Sequence, residues 1–117
     1  MKIYLSILYF LLFSCSNSKE KRPKNILSET IFQTILKEIH LTEAAFELNK
    51  NNGIENAKNE LTNAYFEIYK KNQISEKEFK TALIYYTENP EKLERTYNNI
   101  LEVLSLDRSK IDQQETN

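Results

Sequence analysis

Ile74-Ser75-Glu76-Lys77-Glu78-Phe79 is the stretch that decides the fold of this chain. Ser75 and Glu78 have the spacing of a capping box, in which the side chain of each residue accepts a hydrogen bond from the backbone amide of the other. Ile74 and Phe79 occupy the two positions of a hydrophobic staple. The stretch therefore predicts a helix over residues 76–87, which ends there because a proline follows shortly afterwards.

Two segments before this stretch repeat apolar residues at helical spacing. The first covers residues 29–50 with Ser28 as its N-cap, and a break near Leu41-Thr42 remains an open alternative. The second covers about residues 55–71. Between them lies an asparagine-rich loop with the only glycine, Gly53, which tolerates the left-handed backbone that a helix end needs.

The segment after the third helix predicts a fourth. Pro90 suits the first helical position, with Asn89 as the N-cap, and helical spacing continues to about Ser105. The polar residues 107–117 predict a frayed tail. We therefore expect an all-α fold, a small bundle of about four amphipathic helices in one domain, residues 28–106. The residues predicted to face its core are Phe32, Ile35, Leu36, Ile39, Phe46, Ala57, Leu61, Ala64, Tyr65, Ile68, Tyr69, Phe79, Ala82, Leu83, Tyr86, Leu93, Tyr97, Ile100, Leu101 and Leu104.

The N-terminal segment has the order of a secretory signal. Lys2 is followed by the apolar run Ile3–Phe13 and then by the only cysteine, Cys15. The stretch Leu12-Phe13-Ser14-Cys15 resembles the lipobox of bacterial lipoproteins. The resemblance implies that residues 1–14 are a cleaved signal peptide and that Cys15 is lipidated, with fatty acyl groups such as palmitate.

Three alternatives compete with lipidation: an ordinary cleaved signal, an uncleaved membrane anchor and a buried thiol. As a helix, the run Ile3–Phe13 would span about 16 Å, which is short of a hydrocarbon core of about 30 Å. Residues 16–23 offer no apolar side chain to pack around a buried Cys15. We expect residues 15–27 to form the lipidated N-terminus and a flexible tether. The expected location is the cell envelope, on the outer membrane facing the periplasm, with the membrane itself as one partner.

The composition limits the remaining classes of function. The 16 Lys and Arg residues nearly balance the 17 Asp and Glu residues, so no basic field favours nucleic acid as a partner. A lipidated Cys15 would leave no thiol for a disulfide or a nucleophile. The fold must then be stabilised by packing alone.

His40, the only histidine, is the one candidate for metal chemistry. Glu43 and Glu47 share its side of the first helix, a spacing that offers two or three ligands. The Glu-x-x-His motif of di-iron bundles is missing, so a half-exposed histidine that bonds to a neighbour is the favoured interpretation. Other carboxylates suit surface pairs such as Glu91–Arg95. We expect no enzyme activity, no catalytic residue, no metal and no cofactor.

One aromatic cluster is a candidate partner surface. Tyr85 points about 100° away from Tyr86 on the third helix and cannot share its burial. With Tyr69 and Ile84 it predicts an exposed apolar patch of the kind that partners bind. Ordinary peripheral packing is the alternative.

Two long stretches carry a resemblance to a known family. After Pro23, they are Ile35–Ala44 and Tyr69–Phe79, the latter followed by Tyr85-Tyr86 and Asn89-Pro90-Glu91. Together they resemble a family of Bacteroidota envelope lipoproteins, domain of unknown function 4296. The similarity covers nearly the whole chain after the signal. It implies a helical envelope lipoprotein with no assigned activity, and it supplies no catalytic residues.

These observations favour a non-enzymatic, lipid-anchored adaptor that binds another envelope protein. The rival hypothesis is a chaperone-like holder of unfolded chains in the periplasm. A third hypothesis is a small-ligand or metal site inside the bundle, for which His40 would be required.

Overall fold

The computed structural model describes residues 22–116 and confirms the all-α fold. In this part of the chain the helices are α1 (Glu29–Asn49), α2 (Ile54–Lys71), α3 (Glu76–Thr87) and α4 (Pro90–Glu115), with a 3₁₀ turn at Lys50–Asn52. None of these helices combines the length and the apolar character needed to cross a membrane. The signal peptide predicted over residues 1–14 and the lipidation site Cys15 lie outside the described residues.

Helix α1 is continuous through Leu41-Thr42, so the break left open there does not occur. Its first turn is capped by Ser28, whose hydroxyl accepts from the Ile31 amide at 3.2 Å. Between residues 29 and 49 no glycine or proline interrupts the backbone hydrogen bonds. The chain reverses through the 3₁₀ turn and Gly53, whose φ of 147° would strain any other residue.

The joint between α2 and α3 is fixed by two hydrogen-bonded motifs that share Ile74. The amides of Gln73 and Ile74 donate to the carbonyls of Lys70 and Tyr69 at 3.1 and 3.0 Å, which is the bonding pattern of a Schellman motif. Gln73 takes the left-handed position with a φ of 55°. The predicted capping box of α3 follows directly, and both of its hydrogen bonds are 3.1 Å long. Short-range signals therefore determine how the chain leaves one helix and enters the next.

The core is built around α1, which packs against the other three helices. The Phe32 ring of α1 stacks on Tyr86 at 4.3 Å between centroids and on Phe79 at 5.8 Å. Most predicted inward positions are confirmed. The buried cluster comprises Ile26, Phe32, Ile35, Leu36, Ile39, Ile68, Phe79, Ala82, Tyr86 and Ile100.

Ile26 and Leu27, expected at the end of a flexible tether over residues 15–27, pack with the helical domain. Ile26 is buried in the core, and the Leu27 carbonyl accepts a 2.7 Å hydrogen bond from the Tyr86 hydroxyl. The physical reason is that Ile26 contributes apolar area and Leu27 supplies the acceptor that the buried phenol requires. The helical domain thus includes both residues.

Helix α4 differs from the prediction in its length and in the face that it buries. It continues to Glu115, whereas the expected end was near Ser105 and residues 107–117 were expected to fray. Tyr97 and Leu101, predicted to face the core, are 39 % and 65 % exposed. Thr96 is fully buried instead, because its hydroxyl donates to the Lys92 carbonyl at 2.9 Å and needs no solvent. The helix is rotated about its axis relative to the prediction.

Polar contacts join α1 to α4 along one seam. Arg95 pairs with Glu29 of α1, and the Asn99 amide donates to Gln33 at 3.0 Å. These two contacts join the first two turns of α1 to residues 95–99 of α4. The surface pair Glu91–Arg95 predicted within α4 is thus replaced by an interhelical pair.

Candidate functional site

An apolar groove of about 720 Å³ lies between α2 and α3, with α1 as its floor. Both walls pack on α1, and the groove occupies the space where α2 and α3 diverge from each other. Ile74, at the joint between the two helices, lines one end. The lining residues are Ile39, Glu43, Thr62, Tyr65, Phe66, Tyr69, Lys70, Ile74, Ser75, Glu76, Phe79, Lys80 and Leu83.

Four aromatic rings line the groove: Tyr65, Phe66, Tyr69 and Phe79. Tyr69 lies between Tyr65 and Phe79, at 6.5 and 6.0 Å between ring centroids. Burial raises the pKa of the Tyr69 hydroxyl, and the nearby carboxylate of Glu76 raises it further. Tyr69 is therefore a neutral side chain at physiological pH, which suits contact with an apolar ligand.

The α1 side of the groove carries a short polar chain. The Tyr65 hydroxyl donates to Glu43 at 2.7 Å, and burial together with this bond raises the pKa of Tyr65 to about 12. Glu43 also lies 3.8 Å from Nδ1 of His40, whose Nε2 is 3.4 Å from the Tyr97 hydroxyl. His40 is thus a half-exposed histidine bonded to neighbours, as predicted.

The groove mouth on the α2 side is formed by Phe66 and Lys70. Phe66 is 64 % exposed, the largest solvent exposure of any described aromatic side chain. The Lys70 ammonium lies 5.9 Å from the centre of its ring. Across residues 22–116, no carboxylate lies within ion-pair distance of Lys70, whereas Lys80 on the opposite wall is paired with Glu76 at 2.8 Å. Among the described residues, Lys70 is therefore a rim cation without a neutralising carboxylate.

The three residues of the predicted partner surface fall in different places. Tyr69 lines the groove. Tyr85 belongs to the contact of α3 with α4, where its ring meets the edge of Tyr86 at 5.1 Å and its hydroxyl accepts from Lys92 at 2.9 Å. Ile84 is 61 % exposed but does not line the groove. The described contacts bring only Tyr69 to the groove, and a role for Ile84 and Tyr85 in partner binding stays a prediction.

Phe66 and Lys70, which form the groove mouth, were not among the predicted site residues. Phe66 adjoins the predicted inner stripe of α2 but lies outside it. Phe66 is a large apolar residue beside a stripe that already supplies the buried face of α2. Because packing of the helix does not require such a residue, its presence was the available signal of a binding surface. Lys70 has no such signal in the sequence, since most helical lysines are solvated.

The groove combines an apolar interior with polar groups at its rim. Its polar atoms are hydroxyls, carboxylates and ammonium groups at the rim, around an aromatic and aliphatic interior. In the part of the chain from Arg22 to Thr116, no set of three His, Cys, Asp or Glu side chains is placed to hold a metal ion. An apolar interior with a few convergent polar groups is the usual form of a ligand or peptide site.

Comparison with known proteins identifies the family alone. The family model for the domain of unknown function DUF4296 matches residues 23–110, which is most of the chain and all four helices apart from the last residues of α4. No curated protein and no solved structure matches the chain significantly. The matched segment contains the whole groove, its floor and the joint that closes it. The chain therefore belongs to the DUF4296 family.

Proposed function

We propose that this protein is a non-enzymatic, lipid-anchored module of the cell envelope that binds another envelope protein through the α2–α3 groove. The groove supplies the binding surface, and the lipobox-like segment ending at Cys15 supplies the anchor. Fatty acyl chains on Cys15 would hold the domain at a membrane, because each buried methylene contributes about 0.8 kcal/mol. The partner would then meet the groove close to that membrane.

The observation that carries the proposal is the exposed Phe66 at the mouth of an apolar groove. A phenylalanine in water forgoes the roughly 1.5–3 kcal/mol that full burial of its side chain would contribute. Binding energy at protein interfaces is concentrated in such aromatic anchors when a partner covers them. Tyr65 and Tyr69 extend the same surface into the groove.

The binding half of the proposal is tested by comparing Phe66→Ala with Leu48→Ala. Leu48 is 79 % exposed at the end of α1 and lies outside the groove, so it controls for the loss of one exposed apolar side chain. Each full-length variant is purified from detergent-solubilised envelopes, and co-purifying proteins are quantified by mass spectrometry. We expect one stoichiometric partner, lost with Phe66→Ala and retained with Leu48→Ala. Loss with both variants, or with neither, contradicts the proposal.

The anchoring half is tested separately. Mass spectrometry of the mature N-terminus should find an acylated Cys15, and Cys15→Ser should move the protein from the membrane fraction to the soluble fraction. Unchanged fractionation of the Cys15→Ser variant would show that another feature holds the protein at the membrane.

The second candidate function is a chaperone-like holder of unfolded chains. It is favoured by the composition of the groove interior, which offers aromatic surface and few polar groups to select one partner. A holder should suppress the aggregation of several unrelated unfolded proteins at equimolar ratio, whereas an adaptor should suppress none.

A further inference from the structure

We infer that the occupant of the α2–α3 groove is an amphipathic helix of the partner protein, with an acidic side chain at one end of its apolar stripe. The inference rests on the proposed function and specifies the chemistry of the partner. It follows from the length of the groove, from the nature of its walls and from the charge at its rim.

The length of the groove matches two turns of helix. Its α2 wall extends from Thr62 to Lys70 and its α3 wall from Glu76 to Leu83, so each is about 10–12 Å long. Apolar anchors at positions i, i+3 or i+4, and i+7 of a docked helix span about 10.5 Å. A membrane lipid tail, which fills half of a hydrocarbon core of about 30 Å, is longer than the groove.

The walls favour a helix over an extended peptide. Both walls are α-helices, whose central backbone groups already bond to each other. An extended segment would gain backbone hydrogen bonds from an open strand edge, whereas this groove lining consists of helix side chains. A docked helix satisfies its own backbone and presents only side chains to Tyr65, Tyr69 and Phe79.

The positive charge of Lys70 at the groove rim is the reason to expect an acidic residue on the partner helix. On the α3 wall, Lys80 is already paired with Glu76 at 2.8 Å. Glu43, on the α1 side, accepts from Tyr65. The Lys70 ammonium lies over the Phe66 ring and has no described carboxylate within ion-pair distance. A carboxylate on the partner would therefore form an ion pair with Lys70. Lys70 lies near the end of the groove that Ile74 closes, which places the acidic residue at the corresponding end of the partner's stripe.

A photocrosslinking experiment in cells tests the inference on the full chain. A photoreactive phenylalanine analogue replaces Thr62, which lines the groove and leaves its aromatic residues intact, and the crosslinked peptides are sequenced by mass spectrometry. The analogue at Asn59, also exposed on α2 but outside the groove, is the positional control. We expect crosslinks from Thr62 to a partner segment with apolar residues at helical spacing and an Asp or Glu at one end.

Charge reversal then tests the role of Lys70. Lys70→Glu places like charges together and should lower the crosslink yield about tenfold. The matched control is Lys77→Glu, an exposed lysine of α3 outside the groove, which should leave the yield within about twofold. Equal effects of the two substitutions would overturn the inference, as would crosslinks to lipid or to segments without helical spacing.

Failure of the inference and failure of the proposed function give different results. If one partner is crosslinked through a segment without helical spacing, or without dependence on Lys70, the adaptor function stands and the helix inference is wrong. If Thr62 crosslinks no protein above the level of the Asn59 control, both are wrong.

Discussion

The guanidinium of Arg95 donates to both carboxylate oxygens of Glu29, at 2.6 and 2.8 Å. The pair joins the first turn of α1 to α4 and so connects two segments that are 66 residues apart. A bidentate pair of this kind fixes orientation as well as distance. The packing of α4 against α1 thus includes a specific electrostatic contact near the start of α1.

This pair predicts a pH dependence of stability. Its hydrogen bonds from Arg95 hold the pKa of Glu29 below the ordinary value of 4.5. A carboxyl whose pKa is lowered by folding stabilises the protein above its unfolded pKa, and this stabilisation is lost as the pH falls through the folded pKa. We expect Glu29→Gln to lower the melting temperature by a few degrees at neutral pH. The difference from the unmodified protein should shrink below about pH 4.5 in a pH series of melting curves.

The control for this prediction is Glu91→Gln. Glu91 is the residue that helical spacing alone would pair with Arg95, and it is exposed. At neutral pH, Glu91→Gln should change the melting temperature far less than Glu29→Gln does. An equal effect of the two substitutions would mean that the interhelical pair contributes nothing specific.

The Tyr86 hydroxyl should contribute measurably to stability. It donates to the Leu27 carbonyl at 2.7 Å, and Tyr86 is 1 % exposed. Tyr86→Phe removes the donor and leaves the carbonyl unpaired, which should lower the free energy of unfolding by about 1–1.5 kcal/mol. Tyr85→Phe, which removes a less buried hydroxyl that accepts from Lys92, should change it by less than about 0.5 kcal/mol. Urea titration of both variants distinguishes the two sites.

Gln73 should be replaceable by glycine with a gain in stability. Its φ of 55° is a left-handed conformation that side chains disfavour. Gln73→Gly relieves this cost at the Schellman joint and should raise the free energy of unfolding by about 0.5–1 kcal/mol. The neighbouring Asn72 has a φ of −87°, so Asn72→Gly should lower it. Stabilisation by both substitutions in chemical denaturation would contradict the left-handed assignment.

The rotation of α4 can be tested with two adjacent residues. Ile100 is buried and Leu101 is largely exposed, although hydropathy alone places both in the core. Ile100→Ala should lower the free energy of unfolding by about 2–4 kcal/mol because it leaves a cavity. Leu101→Ala should lower it by less than about 0.5 kcal/mol. Similar large losses for both substitutions, measured in the same denaturant series, would show that the helix packs through the face predicted from the sequence.

The sequence determined the helices, because their signals act over a few residues. The capping box of Ser75 and Glu78 fixes the start of α3, and Pro90 fixes the start of α4. The same local information identified Tyr69 as a surface aromatic of interest. Its packing in the groove depends on where α3 lies, so the sequence could name the residue but not the site.

Tertiary structure decided which faces meet. Thr96 can be buried because its hydroxyl donates to an acceptor within α4. Arg95 pairs with Glu29 because of the way α4 packs against α1. The groove itself exists because α2 and α3 pack on α1 while diverging from each other, which leaves Phe66 uncovered. Local propensities act within each segment separately, whereas the angle between two helices depends on all the side chains packed between them.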